Sequence, residues 1–192
     1  ESKTHRAFLA PDHLQETILA NRVSGFRRPD FAPLATDLQP FSFYAPQINL
    51  NTGTVTGYQN PLAPGAIGRY GYLPLDTLYE DTDSIYVISF YPLPGKTFNA
   101  LNGVAYINTH GYAIQYISAS PAETGLWSIT VEQQYHRYGE TWFPEQLNYE
   151  WLLPKYPNEK LGLLLKGRSY LSPPDLSPGL RARDFGPDQV RL

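Results

Sequence analysis

"LNGVAYINTHGYAIQYISASPA", residues 101–122, decides the fold: two runs of alternating apolar and aromatic residues flank the turn-forming stretch "NTHG". Alternation of period two marks strands, and Asn and Gly tolerate the positive φ angles that tight hairpins require. The reading is two antiparallel strands joined by a hairpin.

The same period runs outward. "RYGYLPLDTLYE" (69–80) and "SIYVISFYPL" (84–93) precede this hairpin, while "LWSITVEQQYHR" (126–137), "TWFPEQLNYEWLL" (141–153) and "KLGLLLKGRSYL" (160–171) follow it. Short connections such as "DTD", "PAETG" and "YGE" separate them, too short for the crossover that a parallel return needs. About seven strands therefore form an antiparallel meander over residues 69–171.

Two strands alternate cleanly. Trp127, Ile129 and Val131 oppose Ser128, Thr130 and Glu132; Leu147, Tyr149, Trp151 and Leu153 oppose Gln146, Asn148 and Glu150. One face is expected to be buried and one wet. "SIYVISFY" is apolar on both faces, as for a strand covered on both sides. A long twisted sheet of this size tends to curl.

The opening "FLAPDHLQETILANRVSGF" is the best helix candidate, over about residues 11–24. Pro11 suits the first helical position, Asp12 and Glu16 complement the positive end, and Gly25 suits a left-handed cap. Its apolar residues split: Leu14 and Ile18 share one side, Leu19 and Val23 another. The expected class is α+β, a strongly curved antiparallel meander or half-barrel packed on that helix. Residues 27–68, rich in Pro, Gly and Asn, read mostly as loop, with Asp30 capping a short turn over Phe31 to Leu38 and "FSFY" (41–44) anchoring the segment to a core. Residues 1–171 are expected to form one globular domain, and the proline-rich 172–192 an extended linker or arm.

Composition narrows the function. The chain has 192 residues with 42% hydrophobic and 17% charged, which excludes disorder throughout. Fifteen tyrosines and an aromatic content of 14% favour strands, and eighteen prolines oppose long helices. A net charge of −3 gives no footprint for a phosphate backbone, so no nucleic-acid partner is expected. No run reaches the roughly 18 apolar residues of a spanning helix, and no secretory signal pattern opens the chain. The start at Glu1 leads us to expect a processed protein or a piece of a longer one. With no cysteine, disulfides and thiol chemistry are excluded.

Catalytic patterns are missing. His110 sits in a turn and reads as turn filler rather than a base. His5, His13 and His136 form no HExxH pair for zinc, and "GRSYL" is not a nucleophile elbow. "NTGTVTG" lacks the helix of a phosphate loop. Glu80, Asp81 and Asp83 in "YEDTDS" lack the twelve-residue calcium loop and read as a soluble hairpin tip. Glu132 with Glu145 or Glu150 is the one conceivable acid pair for glycoside hydrolysis, on a wet face. No catalytic residue, metal site or cofactor is expected, and the chain is read as non-enzymatic. Trp127, Trp142, Trp151 and the tyrosines are core residues or line a groove; Trp127, Tyr149 and Trp151 are the candidate ligand-binding residues of such a groove.

"SGFRRPDFAPLAT", "LNGVAYINTHGYAI" and "WFPEQL", within a longer likeness over about residues 20–171, resemble the central domain of unknown function of large bacterial outer-membrane proteins. Those proteins also carry a carboxypeptidase-regulatory-like β-sandwich and a C-terminal transmembrane β-barrel. The rhythm "GVAYIN…YAIQYI…ITVEQQY…GETWFPEQL" is similar in architecture to the lipoprotein-carrier and sigma-regulator half-barrels of the periplasm. The resemblance implies a periplasmic module at the outer membrane, with an interaction or ligand-holding role beside the barrel. Its implied partners are the sandwich and barrel of the same polypeptide, or other envelope proteins. An apolar, lipid-like ligand in a half-barrel groove and a glycan are the alternative ligands. The family supplies no catalytic residue to carry over.

Overall fold

Residues 2–21 pair with each other instead of coiling. The computed structural model describes residues 1–9, 13–22, 24, 40, 42–50, 57–95, 97–123, 128–153, 162–186 and 190–191. Strand β1 (Ser2–Leu9) and strand β2 (His13–Asn21) run antiparallel, with Arg6 opposite Glu16 and Phe8 opposite Leu14. The helix expected at residues 11–24 is thereby corrected to a strand over its described part. The split of Leu14 and Ile18 from Leu19 left no single helical stripe to bury, whereas every residue from Ser2 to Leu9 finds a cross-strand partner in β2, the register skipping only Leu19 between Lys3 and Thr4.

This hairpin belongs to a unit made of Glu1–Leu34 and Asp175–Leu192, separate from the unit Ala35–Pro174. Within the first unit, the Arg6 guanidinium donates to the buried Glu16 carboxylate at 3.2 Å. His13 stacks on Phe185 at 5.5 Å between ring centres. The residues expected to form an arm contain a 3-10 turn, Ala182–Asp184, and end in a strand (Val190–Arg191) that pairs parallel with β2.

The second unit opens with a small hairpin, β3 (Gln47–Asn49) and β4 (Gly57–Gln59), followed by a 3-10 turn at Ala66–Gly68. Then come β5 (Tyr70–Glu80), β6 (Asp83–Pro92), β7 (Leu101–Asn108), β8 (Ala113–Pro121), β9 (Ser128–Tyr138), β10 (Thr141–Leu153) and β11 (Leu163–Tyr170). They lie side by side in chain order as one seven-stranded antiparallel sheet. The meander read from the alternation is therefore present. Among the described residues strand accounts for 63% and helix for 4%, with no helix of seven residues and no closure of the seven-stranded sheet into a barrel, so the α+β class is corrected to all-β. The short connections enforce antiparallel neighbours, and the wrapped helix is absent because its sequence is used in β2.

What covers the sheet is the Pro- and Asn-rich segment. Phe43, Ile48, Leu50 and Tyr58 are buried against Phe90, Leu101, Ala105, Ile117, Ile129 and Val131 in one cluster. Burying each large apolar side chain contributes roughly 1.5–3 kcal/mol. Ile48 and Tyr58 are cross-strand partners, so the β3–β4 hairpin presents both to the sheet. The "FSFY" anchor is realised by Phe43, which has 0% exposure. The short turn expected over residues 31–38 lies outside the described residues.

Polar groups lock this cover. Tyr135 Oη accepts from the Phe43 N–H at 2.9 Å and donates to Gln133 Oε1 at 2.6 Å. Gln133 Nε2 in turn donates to the Pro40 carbonyl. Tyr44, Tyr70 and Tyr72 reach across with their hydroxyls, to the Ile114 N–H and to the Gln59 and Pro61 carbonyls. A loop can lie on a sheet only if its backbone groups find such partners.

Candidate functional site

Alternation assigns every strand residue to the covered face or the open one. On β10, Leu147, Tyr149 and Trp151 stand opposite Gln133, Val131 and Ile129 and face the cover. A bulge between Pro144 and Gln146 drops Glu145 out of the ladder, which keeps Trp142 on that same face. Tyr149 and Trp151, two of the expected groove residues, are thus partly buried and packed on the core cluster with Trp142. Trp127 lies outside the described residues. The Tyr149 ring crosses onto β11 where Gly167 sits opposite; a Cβ at residue 167 would overlap that ring. The Trp142 and Trp151 indole N–H groups are buried without an acceptor among the described residues.

The other face of β8 to β11 is mainly polar, with the exposed pair Leu152 and Leu164 at one end. Register sets Ser118, Glu132, Asn148 and Arg168 in one row across four strands, and Thr130, Glu150 and Lys166 in the next. Between β9 and β11 these residues line a cleft of about 320 Å³, with Thr130, Glu132, Asn148, Glu150, Lys166 and Arg168 on its walls. Lys166 Nζ lies 2.6 Å from Glu150 Oε2, and both side chains are more than half exposed, so the pair contributes at most about 1 kcal/mol. Asn148 Nδ2 donates to Glu132 Oε2 at 3.3 Å, and Gln146 Nε2 donates to Asn148 Oδ1 at 3.0 Å. Ser120 and Thr130 share a hydrogen bond of 2.9 Å.

Tyr116 borders this row. Burial, and then the Glu132 carboxylate beside it, push its phenol up to about 12. Its ring meets Tyr106 edge to face at 5.3 Å. The site therefore combines planar amides, carboxylates, cations and tyrosine rings, groups able to donate and accept hydrogen bonds side by side. Glu132 and Glu150 do share this face, whereas Glu145 stands at the bulge, so only one of the two acid pairs considered is adjacent. Glu150 is already engaged by Lys166, and Glu132 by Asn148.

The histidines take structural places. His110 lies in the turn after β7, where its N–H donates to Asn108 Oδ1 at 2.7 Å and positive φ falls on Gly111 and Tyr112. Its Nε2 is 3.3 Å from Glu140 Oε2, while Arg137 Nη2 is 3.0 Å from Glu140 Oε1. Two neighbouring hairpin tips are tied together. The His110 hydrogen bond, and then Arg137, hold the fully exposed Glu140 carboxyl below its ordinary value. His136 meets Tyr138 edge to face. Glu80 accepts from Gln115 at 2.8 Å, and among the described residues no three His, Asp or Glu side chains gather as metal ligands.

A second cavity of about 320 Å³ lies beside the cover, lined by Gln47, Gln59, Asn60 and Arg69 among others. Asn60 is spent there on structure: its amide donates to the Phe43 and Ala45 carbonyls, and its oxygen accepts from the Leu62 N–H. Arg69 donates to the Gln59 side chain.

Over residues 1–156 the chain matches the family described as Family of unknown function (DUF5686). The chain belongs to that family. A domain of unknown function was the expectation, and the family match bears it out. No curated protein and no solved structure matches the chain. The matched stretch includes the β1–β2 hairpin and ends before β11, so Glu132, Asn148 and Glu150 fall within it while Lys166 and Arg168 follow it. Sequence reasoning missed those two cations. Three consecutive leucines at 163–165 hide the alternation of β11, and only its register with β10 reveals which residues share the polar face.

Proposed function

We propose that this domain is a non-enzymatic, ligand-holding module of a bacterial cell-envelope protein, and that the open face of β8 to β11 holds a polar ligand. The resemblance to outer-membrane proteins supports the envelope setting, with a β-sandwich and a transmembrane β-barrel of the same polypeptide as neighbours. The observation that carries the reading is the asymmetry of the sheet: its aromatic face is occupied by the chain's own Phe43, Ile48, Leu50 and Tyr58, while the opposite face keeps an open polar cleft. An apolar carrier needs the first face vacant. A glycan, presenting hydroxyls in many directions, suits the second.

A glycan array probed with the full chain is expected to show retention that Asn148→Leu abolishes without unfolding the protein. Turnover of an ester, peptide or glycoside panel that Glu132→Gln stops would overturn the non-enzymatic reading. Recovery of a bound lipid from the purified protein would overturn the polar one.

A further inference from the structure

The charges in the cleft do not cancel pairwise. Glu150 and Lys166 neutralise each other at 2.6 Å, and Glu132 accepts from Asn148. That leaves Arg168, an exposed guanidinium without a carboxylate partner among the described residues, at the end of the row Glu132, Asn148, Arg168. Two residues on, on the same face and opposite Gln146, Tyr170 presents its ring to solvent at 71% exposure.

Resting on the polar-face reading above, we infer that the cleft selects acidic glycans, with Arg168 taking the carboxylate of a uronic-type sugar and Tyr170 offering a face to its ring. A planar guanidinium fork matches a carboxylate bidentately, which a single ammonium such as Lys166 does not. Two strand spacings, about 10 Å, separate Glu132 from Arg168 in backbone register. A sugar laid along this row meets Asn148 and Glu132 with its hydroxyls and Arg168 with its acid. The two glutamates disfavour a phosphate, whose charge approaches two, more than they disfavour a carboxylate. Tyrosine contributes rigid, amphipathic contact area at small entropic cost.

Calorimetric titration of the full chain with an oligogalacturonate, its methyl ester and a sulfated neutral oligosaccharide tests this. Esterification removes the charge and leaves the ring hydroxyls in place. The acid is expected to bind about tenfold more tightly than the ester, the scale of a charge-assisted hydrogen-bonded pair. Arg168→Gln should bring that ratio to near one, and Arg168→Lys should fall between. Tyr170→Ala should weaken acid and ester by similar factors. Equal binding of acid and ester, a ratio that survives Arg168→Gln, or tighter binding of the sulfated probe would overturn the inference and leave the polar-face reading standing. Binding of none of the three would overturn both.

Discussion

The two faces of the seven-stranded sheet come from the same strands and end in opposite states. On β9, Ile129, Val131, Gln133 and Tyr135 are buried on the face that Phe43, Ile48, Leu50 and Tyr58 cover, while Ser128, Thr130 and Glu132 alternate with them onto an open surface. The covered face derives its strength from apolar area and a short chain of hydrogen bonds that ends on loop backbone. The open face has paired charges and amides that water can replace at little cost. Stability and the proposed ligand contact are therefore separable by strand parity, and substitutions one residue apart should have unlike effects.

The largest break in this contrast should come from Phe43→Ala, which empties a site with no exposure between loop and sheet. Urea denaturation should show a loss of about 3–5 kcal/mol. Tyr135→Phe comes next: it leaves the Phe43 N–H and Gln133 Oε1 without the hydroxyl that serves both, at a cost of roughly 1–3 kcal/mol in the same measurement. On the open face, Lys166→Met should change stability by less than about 1 kcal/mol, because its ion pair with Glu150 is solvent-screened. A value for Lys166→Met comparable with that for Tyr135→Phe would show that the open face is structural too.

Two pH series sharpen the comparison further. Tyr116 titrates near 10.0 when unfolded and is pushed up to about 12 when folded, so the folded protein holds that proton more tightly. The stability this provides is complete below 10.0 and is lost as pH rises toward 12; Tyr116→Phe should remove that part of the alkaline loss, followed by circular dichroism. Glu140 has the opposite sign. Its folded carboxyl lies below the ordinary 4.5, so its contribution is present above that value and disappears as pH falls through the lowered one. Glu140→Gln should flatten the acid limb of the urea midpoint; an unchanged limb would show that the His110 and Arg137 contacts add nothing to folding.

Much of this architecture is legible in the residues. Period-two alternation at 128–132 and 146–151, with connections too short to cross over, implies antiparallel neighbours and tells wet positions from buried ones. The apolar character of both faces of "SIYVISFY" is also present, since Ile85 and Val87 are buried on one side and Phe90 on the other. Helix signals at Pro11, Asp12 and Glu16 are local and weak, and they lose to cross-strand pairing with Ser2–Leu9, a partner that no window around residues 11–24 contains. The cover was hidden for a similar reason. A segment rich in Pro and Asn carries no period, yet four of its side chains, together with the Tyr135 hydroxyl, close the core.

By itself, then, the sequence determined the meander, its order and the parity of its strands, because these follow from alternation and loop length, which are properties of neighbouring residues. Only the tertiary structure decided what lies on each face: that Phe43, Ile48, Leu50 and Tyr58 seal the aromatic side, and that Arg168 joins Asn148 and Glu132 in one row. Those relations join residues far apart in the chain, and they depend on register and packing, which no local pattern encodes.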